Sequence, residues 1–388
     1  MNTLINIYTT LFLAVLAFVI MSSLQVLMYD LEYYLYLIAS GFAILIWRFF
    51  IVRNYRSKVA DKHYRVSKTS LILCFLFLCL VLFYSVGGVS GLLRNWVEIH
   101  SEKTVMQKIL FGVAANLYLF LVALLCYDLQ IKFRISRLLL LISITVIMLA
   151  FTRTKSHLIP PILCLTFIFL NKVNYTTWFK LWGMLISACA AYVLYLGTTL
   201  VRWMGNLDEL SIEKIQLTWN TVKASSIERN MGFQAVEVFK HYAALGHYEF
   251  RSVINIFDPI LKLVTGYKIG NPMYDYSEIL YGSSGPLKGS AHPSVFIDGF
   301  ANYGILGIFQ GMVVISLATL ASRILVTRYR NLGLFYSVVF IGYALSLASR
   351  GSVYYGLLYI VTGMISVGIF HLVLSALGGI KCLKIRKS

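Results

Sequence analysis

Between Val353 and Gly378 there is not one Asp, Glu, Lys or Arg, and the same holds from Tyr8 to Met28. A helix rises about 1.5 Å per residue, so about 20 apolar residues cross the roughly 30 Å hydrocarbon core of a bilayer. Runs of this kind recur along the chain. The pattern predicts ten spans, at 8–28, 31–52, 69–89, 108–127, 136–152, 157–171, 178–201, 294–321, 332–349 and 353–378. With 59% hydrophobic and 13% charged residues in 388, the composition excludes an ordinary soluble domain. The expected fold class is all-α: a polytopic integral membrane protein of about ten transmembrane helices. The apolar segment 8–28 lacks a basic leader and a small-residue cleavage site, and reads as a first membrane helix rather than a cleaved signal.

The net charge is +18. In a soluble chain this would point to nucleic acid; here the position of the cations sets orientation. Segments 53–68, 129–137, 172–180 and 322–331 and the tail 379–388 hold Arg53, Arg56, Lys58, Lys62, Arg65, Lys68, Lys132, Arg134, Arg137, Lys172, Lys180, Arg323, Arg328, Arg330, Lys381, Lys384, Arg386 and Lys387. The link at Asp30 and Glu32 holds none. The positive-inside rule therefore places both termini in the cytoplasm and one long loop, 202–293, outside it. Three regions follow: helices 1–7 in 1–201, the extracytoplasmic loop 202–293, and helices 8–10 with a basic tail in 294–388. In the loop, 211–245 reads as helical, 248–267 as an amphipathic stripe, and 271–289 as irregular.

The six cysteines form no CxxC pair and no Cys/His metal spacing, so neither a disulfide framework nor a metal site is expected. Walker A, GxGxxG and DxD patterns are also missing. An enzyme of this kind would draw on a donor already in the membrane, with no cofactor.

Chemistry is expected at the outer face. Arg153 and Lys155 stand in AFTRTKSHLIPP, between apolar runs so short that the turn is predicted to lie below the membrane surface, with Pro160 and Pro161 opening the next helix. Non-helical backbone at that depth is tolerated where it lines a cavity. Arg350 stands in LASRGSVYY, beside Gly351. Guanidinium groups suit two-pronged binding of phosphate oxygens; the plainer role is an anchor to lipid headgroups. Arg202, Arg229 and Arg251 are further cations on the long loop. In KGSAHPSVFIDGFANYG, His292 titrates near neutral pH and is the first base candidate. Asp298 and Asn302 follow on one helix face with Ser294, expected to line a cavity; the alternative is a plain helix cap. Glu237, His241, Asp258, Asp275 and Glu278 are loop candidates that spacing does not rank. Tyr267, Tyr274, Tyr276 and Tyr281 suit either sugar stacking or the membrane interface.

The stretch FDPILKLVTGYKIGNPMYDY, continued by GPLKGSAHPSVFIDGFANYGILGIF, resembles the bacterial O-antigen polymerases, the oligosaccharide repeat-unit polymerases. Their long loop leads into a helix with an Asn/Leu–aromatic–Gly–x–x–Gly pattern, here Asn302, Tyr303, Gly304 and Gly307. FTRTKS is similar to the family's arginine hairpin, matched by Arg153. Related O-antigen ligases often carry a His-Asn pair at this loop end, whereas here Pro293 follows His292.

The resemblance implies a GT-C-like, metal-independent glycosyltransferase in the bacterial inner membrane. Its donor and acceptor would be undecaprenyl-pyrophosphate-linked oligosaccharides, for O-antigen or capsule. Arg153, Lys155, Arg202 and Arg350 would hold the pyrophosphate, and His292 or a carboxylate such as Asp298 would take the acceptor's proton. A chain-length-regulating co-polymerase is an implied partner, and nucleic acid is not. The rival readings are an O-antigen ligase acting on lipid A core and a transporter of lipid-linked glycans.

Overall fold

The computed structural model describes residues 2–25, 30–54, 63–88, 103–171, 211–224, 231–246, 254–257, 272–282 and 291–383. Among them the chain is helical apart from one short ribbon. The helices are α1 (Asn2–Gln25), α2 (Leu31–Asn54), α3 (Lys68–Ser85), α4 (Val105–Ile131), α5 (Ile135–Thr152), α6 (Ile159–Asn171), α7 (Ile212–Ala224), α8 (Met231–Leu245), α9 (Pro272–Tyr281), α10 (Val295–Tyr303), α11 (Gln310–Tyr336), α12 (Gly342–Arg350) and α13 (Val353–Ala376). Strands β1 (His63–Val66) and β2 (Ile380–Leu383) pair antiparallel.

Among the described residues seven helical stretches are long and apolar enough to cross a membrane: Asn2–Gln25, Leu31–Ile51, Lys68–Ser85, Val105–Ile131, Ile135–Thr152, Val295–Arg350 and Val353–Ala376. Many large apolar side chains on them face outward, among them Phe42, Phe49 and Leu73. That is the pattern of helices solvated by lipid, and the protein is a membrane-embedded helical protein. The expected span at 157–171 is a shorter apolar helix, Lys155–Leu170. The expected span at 178–201 lies outside the described residues.

The chain forms two compact units. One comprises Met1–Lys58, Lys223–Arg323 and Ala344–Val361, and the other Val59–Val222, Ile324–Tyr343 and Thr362–Ser388.

In the first unit, α1 and α2 pack as an antiparallel pair, and α8 of the long loop closes one end. Gly232 lets α8 touch the α1 backbone at Ser22 and Ser23, where a Cβ would collide. Ser23 and Tyr33 share a hydroxyl hydrogen bond of 2.9 Å there.

The expected single span 294–321 is corrected. α10 has nine residues, about 14 Å of helix, too short to cross. At Gly304 (φ 58) the chain reverses. Residues 304–309 return along α10 as a 3₁₀ turn, with the backbones of Gly299 and Gly307 in contact. Gln310 then donates to the Val295 carbonyl at 3.0 Å, closing the hairpin at its base. A Cβ on Gly311 would lie 3.1 Å from the Phe296 ring, 3.2 Å from Ile44 and 3.5 Å from Phe12. The base therefore lies level with the middle of α1 and α2. Farther along the hairpin, Phe300 stacks on Phe239 of α8 at 4.1 Å. The hairpin thus enters and leaves on the same level.

In the second unit, α4 opens with a capping box: Gln107 N–H donates to the Thr104 hydroxyl at 3.2 Å, and Thr104 N–H to the Gln107 side chain at 3.0 Å. The expected link 322–331 is a turn of one residue, Arg330 (φ 54, ψ −129), where the chain folds back so tightly that a Cβ on Gly333 would collide with the Leu325 and Val326 backbone. The ribbon is an addition to the all-α expectation. It joins the two segments that charge placed on one side of the membrane. The chain between Val66 and Ile380 must then cross the bilayer an even number of times.

Candidate functional site

Two helix breaks of the first unit are joined through their backbones. The Ser294 N–H donates to the Arg350 carbonyl at 3.1 Å, which binds the turn before α10 to the turn between α12 and α13. Ser294 itself takes φ 95 and ψ 156, a region that is nearly glycine's alone and costs a side-chain-bearing residue about 1–3 kcal/mol. The Arg350 bond and the packing of α10 on α11 hold it there.

Asp298 is the post to which these pieces are tied. It is fully buried. Its Oδ1 accepts from the Tyr276 hydroxyl at 2.7 Å and from Asn302 Nδ2 at 3.4 Å. Its Oδ2 accepts from Gln310 Nε2 at 2.8 Å and from the Val353 N–H at 3.0 Å. A carboxylate offers about four acceptor sites, and these four donors fill them. Val353 N–H is the first of α13, so the negative charge also meets a helix N-terminus, where it is favoured. One side chain thereby joins loop helix α9, hairpin helix α10, α11 and α13. Asp298 lies out of contact with solvent, which corrects the expectation that it lines an open cavity. Asn302, 2% exposed, donates to the Asp298 carbonyl at 2.6 Å and belongs to the same packed post.

His292 is half-buried and Arg350 exposed. His292 N–H donates to Gln234 Oε1 at 3.0 Å, and Gln234 Nε2 donates to the Tyr281 hydroxyl at 2.9 Å. Loop helices α8 and α9 thus fix the turn that carries the imidazole. His292 stands two residues before the Ser294–Arg350 bond, and Arg350 at its other end.

The second unit holds Arg153. It ends α5 in the left-handed region (φ 49), with its N–H on the Leu149 carbonyl at 2.7 Å. Its side chain is 2% exposed, and burial pulls the guanidinium pKa below its usual value. Lys155, half-buried, follows in a 3₁₀ turn. Ser156 shares a 3.1 Å hydrogen bond with the Tyr343 hydroxyl. The Tyr118 hydroxyl donates to the His157 carbonyl at 2.6 Å, and the His157 ring, itself buried, stacks against Tyr343 at 6.3 Å. The turn is packed inside its unit.

Glu237 is partly exposed and 3.9 Å from Lys240. His241 lies edge-on to Tyr242 at 5.1 Å, and Glu278 is exposed. Arg202, Arg229, Arg251, Asp258 and Tyr267 lie outside the described residues. Among the described residues no group of three or more His, Cys, Asp or Glu side chains could hold a metal ion. Sequence reasoning missed Gln234, Gln310 and Tyr343. Gln310 carried a signal, an amide set in an apolar run where lipid would not tolerate it. Gln234 and Tyr343 carried none.

No family model matches the chain, and no curated protein and no solved structure is similar to it.

Proposed function

We propose that the chain is a glycosyltransferase that joins lipid-pyrophosphate-linked oligosaccharide units at the outer face of the bacterial inner membrane, with both termini in the cytoplasm. The observation that carries this reading is the backbone bond between the breaks of His292 and Arg350. It sets an imidazole and a guanidinium on adjacent turns of one unit. The acceptor hydroxyl oxygen would form the new bond to the donor's anomeric carbon. The bond from that carbon to the pyrophosphate breaks, and its electron pair leaves with the pyrophosphate. Arg350 would neutralise the leaving charge. His292 would accept the hydroxyl proton. Asp298 is given a positioning role, since its oxygens are occupied. The resemblance to O-antigen polymerases supports the substrate class, a GT-C-like fold and a chain-length-regulating partner.

A second reading has one observation in its favour. A short hairpin and a buried carboxylate at a half-helix N-terminus also suit a transporter of lipid-linked glycans. Gene deletion separates the readings by the size of surface glycan. A polymerase leaves a single repeat unit on the surface. Loss of all surface glycan indicates a transporter, and polymer retained on the lipid carrier indicates a ligase. Either of these would reject the polymerase.

A further inference from the structure

The ribbon of the second unit pairs Arg65 directly with Lys381. Both side chains are exposed. Residues opposite one another in an antiparallel pair share a face, with Cβ atoms about 4.5–5.5 Å apart, and like charges there are destabilising. Neither strand contains Asp or Glu. A third exposed cation, Lys68, follows three residues after Arg65, and the first turn of α3 holds no acidic residue. A helix dipole accounts for only part of this. Lys381, beyond the C-terminus of α13, is well placed, but Arg65 and Lys68 stand at the N-terminal end of α3, where cations are disfavoured.

The other face of the ribbon is anchored. Val66 and Ile380 are buried, the Tyr64 N–H donates to the Tyr127 hydroxyl at 2.7 Å, and the Tyr64 ring meets His371 at 6.0 Å. The Ser67 N–H donates to the Gly379 carbonyl at 2.8 Å, so the ribbon is stitched to the start of α3 and the end of α13. Gly378, in the left-handed region at φ 69, sets the turn. The Lys381 stem lies over it, with Cε 3.7 Å from where a Cβ would stand. Both α3 and α13 are membrane-crossing by length and composition, so the stitch sets the cation pair at the boundary where phospholipid headgroups begin.

We propose that Arg65, Lys381 and Lys68 form a binding site for the phosphodiester of an anionic phospholipid headgroup. An anion between the two opposed cations turns their repulsion into attraction, and the charge is supplied by the membrane itself. The proposal does not depend on the catalytic reading.

The test uses the full chain in nanodiscs of neutral lipid carrying a rising fraction of phosphatidylglycerol, with thermal unfolding and native mass spectrometry as readouts. Wild type should gain thermal stability and retain bound phosphatidylglycerol as the fraction rises, and high salt should remove the gain. Each cation removed should weaken lipid affinity about fivefold. Arg65→Gln with Lys381→Gln should therefore lower affinity about 25-fold, and should unfold no earlier than wild type in neutral lipid because the repulsion is gone. If the double variant fails to fold, Arg65→Gln alone is read the same way, with a fivefold loss. A control pair, Lys132→Gln with Arg134→Gln, removes two cations elsewhere in the unit. An equal loss in the control would reduce the effect to net charge and overturn the site. So would an unchanged response in the ribbon variants. Inorganic phosphate that reproduces the gain in neutral nanodiscs would overturn the lipid assignment.

Discussion

Replacing Asp298 distinguishes a structural post from a catalytic base. In Asp298→Ala four donors lose their acceptor. Two of them keep a second one: Asn302 Nδ2 on the Asp298 carbonyl and Gln310 Nε2 on the Val295 carbonyl. The Tyr276 hydroxyl and the Val353 N–H lose their bond to the carboxylate. A buried donor stripped of its acceptor costs about 1–3 kcal/mol, so the alanine variant should lose about 2–6 kcal/mol. Asp298→Asn keeps the shape. Its amide oxygen can serve Gln310 and Val353, while the Tyr276 hydroxyl turns to accept from the amide nitrogen. The loss is then mainly that of charge assistance, about 1–3 kcal/mol. The assay is thermal unfolding in detergent beside polymerisation per folded molecule in cells. The alanine variant should unfold well below the asparagine variant, and the asparagine variant should retain most of its activity per folded molecule. An asparagine variant as stable as wild type yet devoid of activity would refute the structural role and make Asp298 a chemical group.

Other substitutions test the hairpin and a buried amine. Gly307→Ala should abolish the folded protein, because its methyl would collide with the Gly299 backbone. Gly368→Ala, with open space around it, should be neutral or slightly stabilising; yield by fluorescence size-exclusion reads both. Lys103 lies with its ammonium 3.6 Å from the Phe111 ring centre, and burial pulls its pKa down to about 8. The unfolded chain, with a pKa near the ordinary lysine value of 10.5, then binds more protons between those two values. Stability should therefore rise with pH across that window. Lys103→Met should be more stable at neutral pH and should flatten the rise in a series of thermal melts.

The membrane helices were legible because lipid enforces one rule, a long apolar run with few charges, and the seven apolar stretches between Asn2 and Ala376 obey it. The hairpin was not. Residues 295–321 are apolar whether they cross once or fold back first, and the reversal rests on Gly304 and the contact of Gly299 with Gly307, a pairing that hydropathy does not register. Arg330 misled in the other direction. Its charged neighbours read as a ten-residue loop, yet the chain turns back at one left-handed residue, with helix running up to it from both sides. At the site, His292 and Arg350 stood out as polar groups beside helix breaks, but their juxtaposition depends on a backbone bond at Ser294. Asp298 was visible as a charge in an apolar helix. That it faces four donors rather than a cavity follows from Tyr276, Gln310 and Val353, which lie 22, 12 and 55 residues away in sequence.

The most direct measurement is polymerisation by the purified chain in proteoliposomes, supplied with lipid-linked repeat units isolated from the gene-deletion strain. Products are sized by mass spectrometry, and released undecaprenyl pyrophosphate is counted. Wild type should yield chains in whole multiples of the repeat, with one pyrophosphate carrier freed per bond. Arg350→Ala should fall at least tenfold, about 1.4 kcal/mol of transition-state stabilisation, and Arg350→Lys should recover little of it. His292→Ala should lower the rate more than it weakens donor binding. Repeat units left unjoined by the folded wild-type protein, or joined at the wild-type rate by both the Arg350→Ala and His292→Ala variants, would contradict the assignment.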